Sequence, residues 1–179
     1  MSGTDSSAVT LARSAAVVGL GYIAGLTLSI PAWTWPALYR PGSTLTPAQR
    51  LGIWSTVYGQ GKKTMLALAP AISGLLAFAA YAAQSPVPYL PASWLARNRR
   101  GVLGASAAAT VGIIVWTLAA MEGLNMELRK VEKEATDRGA PVTPAHDELV
   151  RSRWLKLHLV RCALAFSAFV GAVSELALA

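Results

Sequence analysis

Four long apolar stretches decide what this chain can fold into. Each has about 20 residues, the length that a helix needs to cross the hydrocarbon core of a bilayer. They run from about residue 13 to 33, 64 to 83, 101 to 121 and 155 to 178. Because lipid offers no hydrogen bonds to a backbone, a chain crosses it as helices or as a closed barrel. We therefore predict an all-α integral membrane protein, an antiparallel four-helix bundle that forms a single domain over residues 1–179.

The composition agrees with a membrane protein. Hydrophobic residues make up 54% of the chain and charged residues only 14%, too apolar for an ordinary soluble domain. The first ten residues lack the basic region of a signal peptide, so we expect the first stretch to remain as a helix. Glycines within the stretches, such as Gly19 and Gly21, favour close helix packing in lipid.

The first two polar segments have different expected structures. We predict a flexible N-terminus over residues 1–12 and a long loop over residues 34–63. The second half of this loop, from Pro47 to Tyr58, has helical spacing, with proline near its start and Gly59 and Gly61 after its end. We therefore predict a short interfacial helix before the second span.

The later connections are proline-rich and then charged. Residues 84–100 contain three prolines, so we expect an extended or turned segment. Residues 122–153 are predicted as a polar loop. Within it, residues 127–138 extend the third helix beyond the membrane, and Gly139 ends that extension.

Aromatic and charged side chains concentrate at one end of the predicted bundle, where the first span ends and the fourth begins. These residues are Trp33, Trp54, Tyr58, Lys62, Glu122, Asn125, Trp154, His158 and Arg161. Trp154, His158 and Arg161 are spaced i, i+4, i+7 and share one helix face. A histidine and an arginine are costly to bury in a membrane, so they indicate a functional site.

Structural explanations of these residues stay open beside the functional one. Tryptophans at helix ends also form the ordinary aromatic belt of membrane proteins. Lys62 also fits a snorkelling anchor, and Glu122 with Arg161 or Arg129 fits a structural ion pair. His158 also fits a packed polar network without chemistry.

Several functional classes are excluded or disfavoured by the residue inventory. The single cysteine, Cys162, excludes a dithiol redox enzyme, and the spans hold too few ligands for a protein-only zinc or di-iron site. One histidine is still enough for an axial haem ligand. A nucleotide-binding loop, a nucleophile elbow and a basic run with interleaved aromatics are missing, so we expect no nucleic-acid partner. Four short apolar spans also disfavour a transporter.

Four short motifs occur in order along the spans. They are Gly25-Leu-Thr-Leu-Ser-Ile-Pro31 followed by Pro36-Ala-Leu, Trp54-Ser-Thr-Val-Tyr58-Gly59-Gln-Gly61-Lys62, Asn125-Met-Glu-Leu128, and Trp154-Leu-Lys-Leu-His158-Leu-Val-Arg161. With the four-span hydropathy, they make the chain resemble the anthrone oxygenase family, small membrane proteins of polyketide biosynthesis, from about Gly19 to Gly171. One departure is Glu122-Gly-Leu before Asn125, where many members have proline or threonine.

The resemblance implies a membrane-bound monooxygenase that converts a polyketide anthrone, of the emodin-anthrone type, to the anthraquinone with O₂. Its expected partners are a small aromatic polyketide, O₂ and membrane lipid, and a homo-oligomer stays open. It also implies a fungal endoplasmic reticulum or related endomembrane. Two alternatives remain: a haem- or metal-dependent oxidase at the same site, and a non-catalytic membrane subunit that anchors a biosynthetic partner.

For the oxygenase we expect four catalytic residues. His158 is the expected base for the central CH₂, because histidine exchanges protons near neutral pH. Arg161 stays charged and would stabilise the enolate or peroxide, and Asn125 and Tyr58 would bond the substrate oxygens. The expected substrate-binding residues are Trp54, Trp154, Trp33, Lys62 and Glu122. We favour cofactor-free use of O₂, without haem or metal, because an anthrone enolate passes an electron to O₂ directly.

Overall fold

The computed structural model describes residues 5–83 and 94–178, and this part of the chain is helical with no strand. Four long helices are apolar enough to cross a membrane: α1 (Ser7–Tyr39), α2 (Pro47–Ala82), α3 (Arg99–Arg138) and α4 (Pro144–Ala177). Helices α1 and α3 each pack against both α2 and α4. The predicted all-α four-helix membrane bundle is therefore confirmed.

The second spanning helix is longer than the sequence suggested. Helix α2 begins at Pro47 and passes through Gly59 and Gly61 without a break, so residues 34–63 are mostly helical. Its start is a capping box, in which the Thr46 hydroxyl accepts from the Gln49 backbone and the Gln49 side chain accepts from the Thr46 backbone. Pro47–Tyr58 is thus the first part of α2 and not a separate interfacial helix. A glycine costs a helix about 1 kcal/mol, which the packing of a long helix outweighs.

The predicted polar loop over residues 122–153 is also mainly helical. Helix α3 continues to Arg138, as predicted, and ends at Gly139, whose φ of 66° is the left-handed conformation that glycine favours. Helix α4 then begins at Pro144, well before the fourth apolar stretch. The link between α3 and α4 is therefore a few residues long. The segment predicted as extended or turned, residues 84–100, lies largely at 84–93, outside the described residues. A single helical turn, Trp94–Arg97, follows.

A buried ion network closes the end of the bundle that holds the N-terminus. The Glu175 carboxylate is fully buried and accepts hydrogen bonds from Arg13 Nε and Arg99 Nε, each at 2.8 Å. Asp5 pairs with both guanidinium groups. Buried charges need such partners to offset their desolvation. The prediction of a flexible segment over residues 1–12 is therefore wrong from Asp5 onward, and α1 already starts at Ser7.

An apolar layer separates this ion network from the aromatic end. About 25 Å of α4 lies between His158 and Glu175, at a rise of 1.5 Å per residue. This length is close to the bilayer hydrocarbon core of about 30 Å. The helices approach closely within the layer, since a Cβ on Gly19 would lie 2.7 Å from Ile72. The two polar ends of the bundle therefore match the two faces of a membrane core.

Candidate functional site

Three of the four spanning helices contain a π-helical turn at the aromatic end. The turns are Ile30–Thr34 in α1, Thr117–Met121 in α3 and Leu149–Trp154 in α4. A π turn adds a residue to the helical repeat, which redirects the side chains that follow it, and such turns are frequent at functional sites. Their grouping at one end of the bundle indicates a candidate functional site there.

Trp154 is the centre of an aromatic cluster at this end. Its indole stacks on Trp35 at 5.4 Å and on His158 at 4.8 Å, and it meets Trp54 edge-on at 5.9 Å. Its Nε1 donates to Asn125 Oδ1 at 2.9 Å. The structure thus brings Trp54, Asn125, Trp154 and His158 together as predicted. With only 1% of Trp154 exposed, the indole is an internal wall and not an open stacking surface for a substrate.

His158 is held from two sides and is fully buried. Its Nε2 lies 3.0 Å from the backbone oxygen of Thr27 in α1. Because a carbonyl can only accept, Nε2 carries the hydrogen and Nδ1 has the free lone pair of the neutral ring. Pro31 follows Thr27 by four residues and lacks the N–H that would bond this carbonyl within the helix. The Thr27 oxygen instead accepts from the backbone N–H of Ile30 within the helix, and it also accepts from His158 Nε2 and, at 3.5 Å, from Cys162 Sγ.

A small cavity of about 40 Å³ lies between α2, α3 and α4. Its charged and phenolic lining comes from four predicted site residues: Tyr58, Lys62, Glu122 and Arg161. Lys62 Nζ lies 3.0 Å from Glu122 Oε1, and Tyr58 Oη donates to Glu122 Oε2 at 3.3 Å. The rest of the lining is Met65, Leu66, Ile113, Ile114, Thr117 and Leu118. The cavity therefore combines charged and phenolic groups with a mainly apolar remainder.

Arg161 contributes an uncompensated charge to this cavity. Only 6% of the residue is exposed, and among the described residues no carboxylate pairs with it. Its Nε has no hydrogen-bond partner within that part of the chain. Buried guanidinium groups are normally paired, because an unpaired buried charge is costly. An oxyanion is the ligand that would complete this site.

Further unpartnered atoms surround the same end. Four of the five buried side-chain polar atoms without a partner, over the ranges that the structure describes, are Trp54 Nε1, Asn125 Nδ2, His158 Nδ1 and Arg161 Nε. Buried polar groups are otherwise almost always hydrogen-bonded, and the exceptions call for a bound water or ligand. Three donors and one acceptor are thus unpartnered at this end, and of these residues Arg161 is the one that lines the cavity.

The structure places Trp35, and not the predicted Trp33, in the aromatic cluster. Trp33, a predicted substrate-binding residue, is 76% exposed and lies away from the site, whereas Trp35 is buried in the aromatic cluster. Residues two positions apart point to nearly opposite sides of a helix, so only one of the two can face inward. Thr27 was also missed as a partner of His158. Its signal was the proline four residues later.

The residues do not form a recognisable metal or haem site. Among the described residues, no group of three or more histidine, cysteine, aspartate or glutamate side chains is arranged to hold a metal ion. His158 Nε2 is bonded to Thr27, the ring is stacked on Trp154, and His158 does not line the cavity. Nδ1 is unpartnered, but it belongs to a fully buried ring outside the cavity, whereas a haem ligand needs room for the macrocycle beside its nitrogen.

Comparisons with known proteins identify the family. The family model described as anthrone oxygenase matches residues 54–171, which is more than half of the chain and includes the four charged and phenolic residues of the cavity lining. A search of curated proteins and a search of solved structures found no match. From the family match over the site-bearing helices, we conclude that the chain belongs to the anthrone oxygenase family.

Proposed function

We propose that the protein is a membrane-bound monooxygenase that converts a polyketide anthrone, of the emodin-anthrone type, to the anthraquinone with O₂. The observation that carries the proposal is the buried, unpaired Arg161 in the lining of a cavity that also contains Tyr58, Lys62 and Glu122. Membership of the anthrone oxygenase family supports chemistry of the oxygenase type.

The reaction needs a base, an oxyanion site and exclusion of water. A base removes one proton from the central CH₂, and the resulting enolate passes an electron to O₂. A C–O bond then forms, and the hydroperoxide loses water to leave the new ketone. One oxygen atom enters the product and the other leaves as water. In this scheme Arg161 stabilises the negative charge of the enolate and peroxide. The Tyr58 hydroxyl already donates to Glu122, and the fully buried Asn125 does not line the cavity, so neither is given the role of binding the substrate oxygens.

The cavity is large enough for one of the two reactants, O₂, and too small for the other, the anthrone. A water-sized molecule needs about 10–15 Å³ of such space, so the cavity admits O₂ or a few waters but not three fused rings. Two of its wall residues, Leu66 and Leu118, are more than half exposed on the outer surface of the bundle. We infer that an apolar anthrone enters from lipid between α2 and α3 when these leucines move apart. Entry from lipid is consistent with the proposed location in a fungal endoplasmic reticulum or related endomembrane.

The direct test is O₂-dependent conversion of emodin anthrone to emodin by the purified protein. A blank without protein is subtracted, because anthrones oxidise unaided in air. We expect wild type to accelerate conversion and Arg161→Met to lose about 10²- to 10³-fold in kcat, the usual loss for an oxyanion-stabilising donor. Arg129→Met, at an exposed position of α3, is the matched control.

A failure of this test has a defined meaning. Wild type that matches the blank with several anthrones would contradict the oxygenase proposal for this protein. The charged extension of α3, Glu122–Arg138, would then favour a membrane subunit that anchors a biosynthetic partner.

A further inference from the structure

We propose that Glu122, and not His158, accepts the proton from the substrate CH₂, while Lys62 and Tyr58 hold its carboxylate in place. This inference rests on the proposed oxygenase function and names the base for it. It also changes the role of His158 to that of a positioning residue.

Glu122 has the placement that a base requires. It follows directly after the π turn Thr117–Met121 and lines the cavity beside Arg161. Lys62 binds one carboxylate oxygen and Tyr58 the other, both from α2. Each carboxylate oxygen has two lone pairs, so a position for a proton remains on either oxygen. The groups that face this carboxylate are Lys62 and Tyr58 from α2 and Asn125 on its own helix. Arg161 from α4 lines the same cavity.

His158 lacks that placement. It is fully buried, it does not line the cavity, and its ring lies between the indole of Trp154 and the Thr27 carbonyl. A proton on Nδ1 would create a second buried cation near Arg161, three residues further along α4. Two like charges in a buried setting oppose each other strongly. His158 instead ties α4 to α1, which positions Arg161 at the cavity.

Glu122 alone can carry both protons that the reaction moves. The carboxylate takes the first CH₂ proton when the enolate forms, and returns it to the peroxide anion once O₂ has added to the carbon. It then takes the remaining C–H proton as the O–O bond breaks, and gives that proton to the departing hydroxide. The products are the ketone and water, and the carboxylate is regenerated.

Side-chain exposures of 34% for Lys62 and 27% for Glu122 place this pair at the cavity mouth.

The test compares variants by blank-subtracted O₂ uptake with emodin anthrone across a range of pH. At neutral pH we expect Glu122→Gln to lower kcat by about 100-fold or more, in the range of general-base catalysis. Its rate should approach that of wild type at alkaline pH, where the anthrone ionises in solution and needs no base. Added formate or acetate should partly restore Glu122→Ala. Glu127→Gln, exposed on the same helix, should behave as wild type.

Three results separate the possible outcomes, with size-exclusion elution as the check of folding. A Glu122→Gln rate within about threefold of wild type at neutral pH, together with a pH-rescued loss in His158→Gln, would assign the base to His158. Loss in Glu122→Gln at every pH, without carboxylate rescue of Glu122→Ala, would reduce Glu122 to a structural role. If wild type itself matches the blank, the oxygenase proposal fails before this inference is reached.

Discussion

The imidazole of His158 lies nearly parallel to the indole of Trp154, with ring centroids 4.8 Å apart and an interplanar angle of 8°. The two side chains also make the hydrogen bonds that join three helices, since His158 bonds Thr27 in α1 and Trp154 bonds Asn125 in α3. This pair therefore fixes the start of the apolar part of α4. Arg161 is about one helical turn further along, so its position at the cavity depends on the same contacts.

Removing the indole of Trp154 should destabilise the bundle. Trp154→Phe keeps a ring but leaves the Asn125 amide without its donor, which we expect to cost about 1–3 kcal/mol. Trp154→Ala also leaves a void, with an expected cost of about 3–5 kcal/mol. Thermal unfolding in detergent measures both. The control, Trp33→Ala, changes an exposed tryptophan, and equal unfolding temperatures for the two alanine variants would contradict the prediction.

The anchoring of His158 should depend on Pro31. In Pro31→Ala the new backbone N–H can bond the Thr27 carbonyl within α1 and compete with His158 Nε2. We expect kcat to fall while the protein stays folded, because α4 loses part of its connection to α1 and Arg161 shifts. O₂ uptake and thermal unfolding together test this expectation.

Pro70→Ala is the control for this prediction, because Pro70 also lies inside a spanning helix. No side chain of the described residues bonds the carbonyl four residues before Pro70. The activity of Pro70→Ala should therefore match that of wild type. An equal loss of activity in both proline variants would point to a general effect on the helices.

Breaking the ion network at the opposite end should affect stability more than chemistry. Glu175→Ala removes one of the two carboxylates that Arg13 and Arg99 share and leaves them with Asp5. Removing one partner of a buried ion pair typically costs about 3–5 kcal/mol. At temperatures where the variant remains folded, we expect its kcat to equal that of wild type. Asp137→Asn, at an exposed site, should change neither property. A stable Glu175→Ala variant would show that the network contributes little.

Access from lipid should depend on Leu118. A tryptophan at this position would close the gap between α2 and α3, so we expect Leu118→Trp to lower kcat/KM by about tenfold or more through substrate binding. Leu118→Ala should leave access open. Val111→Trp adds the same bulk at another exposed position of α3 that does not line the cavity. Equal kinetics for the two tryptophan variants would argue against this route.

The sequence by itself determined the membrane bundle and the end of it that carries the candidate site. Lipid allows few backbone solutions, so the lengths of four apolar stretches were enough to predict four spanning helices. Consecutive helices run in opposite directions, so polar residues such as Tyr58, Glu122 and Arg161 at successive helix ends had to meet.

Only the tertiary structure decided which side of each helix faces inward and how far each helix continues. Trp33 and Trp35 have the same chemistry, and the packing of α1 against α4 selects which one is buried. The contact between Arg13 and Glu175 joins residues far apart in sequence, which local periodicity does not reveal. The separation of His158 from the cavity depends on the Thr27 carbonyl, a backbone atom of another helix. Such contacts arise from the packing of side chains in three dimensions, and hydropathy records only their average.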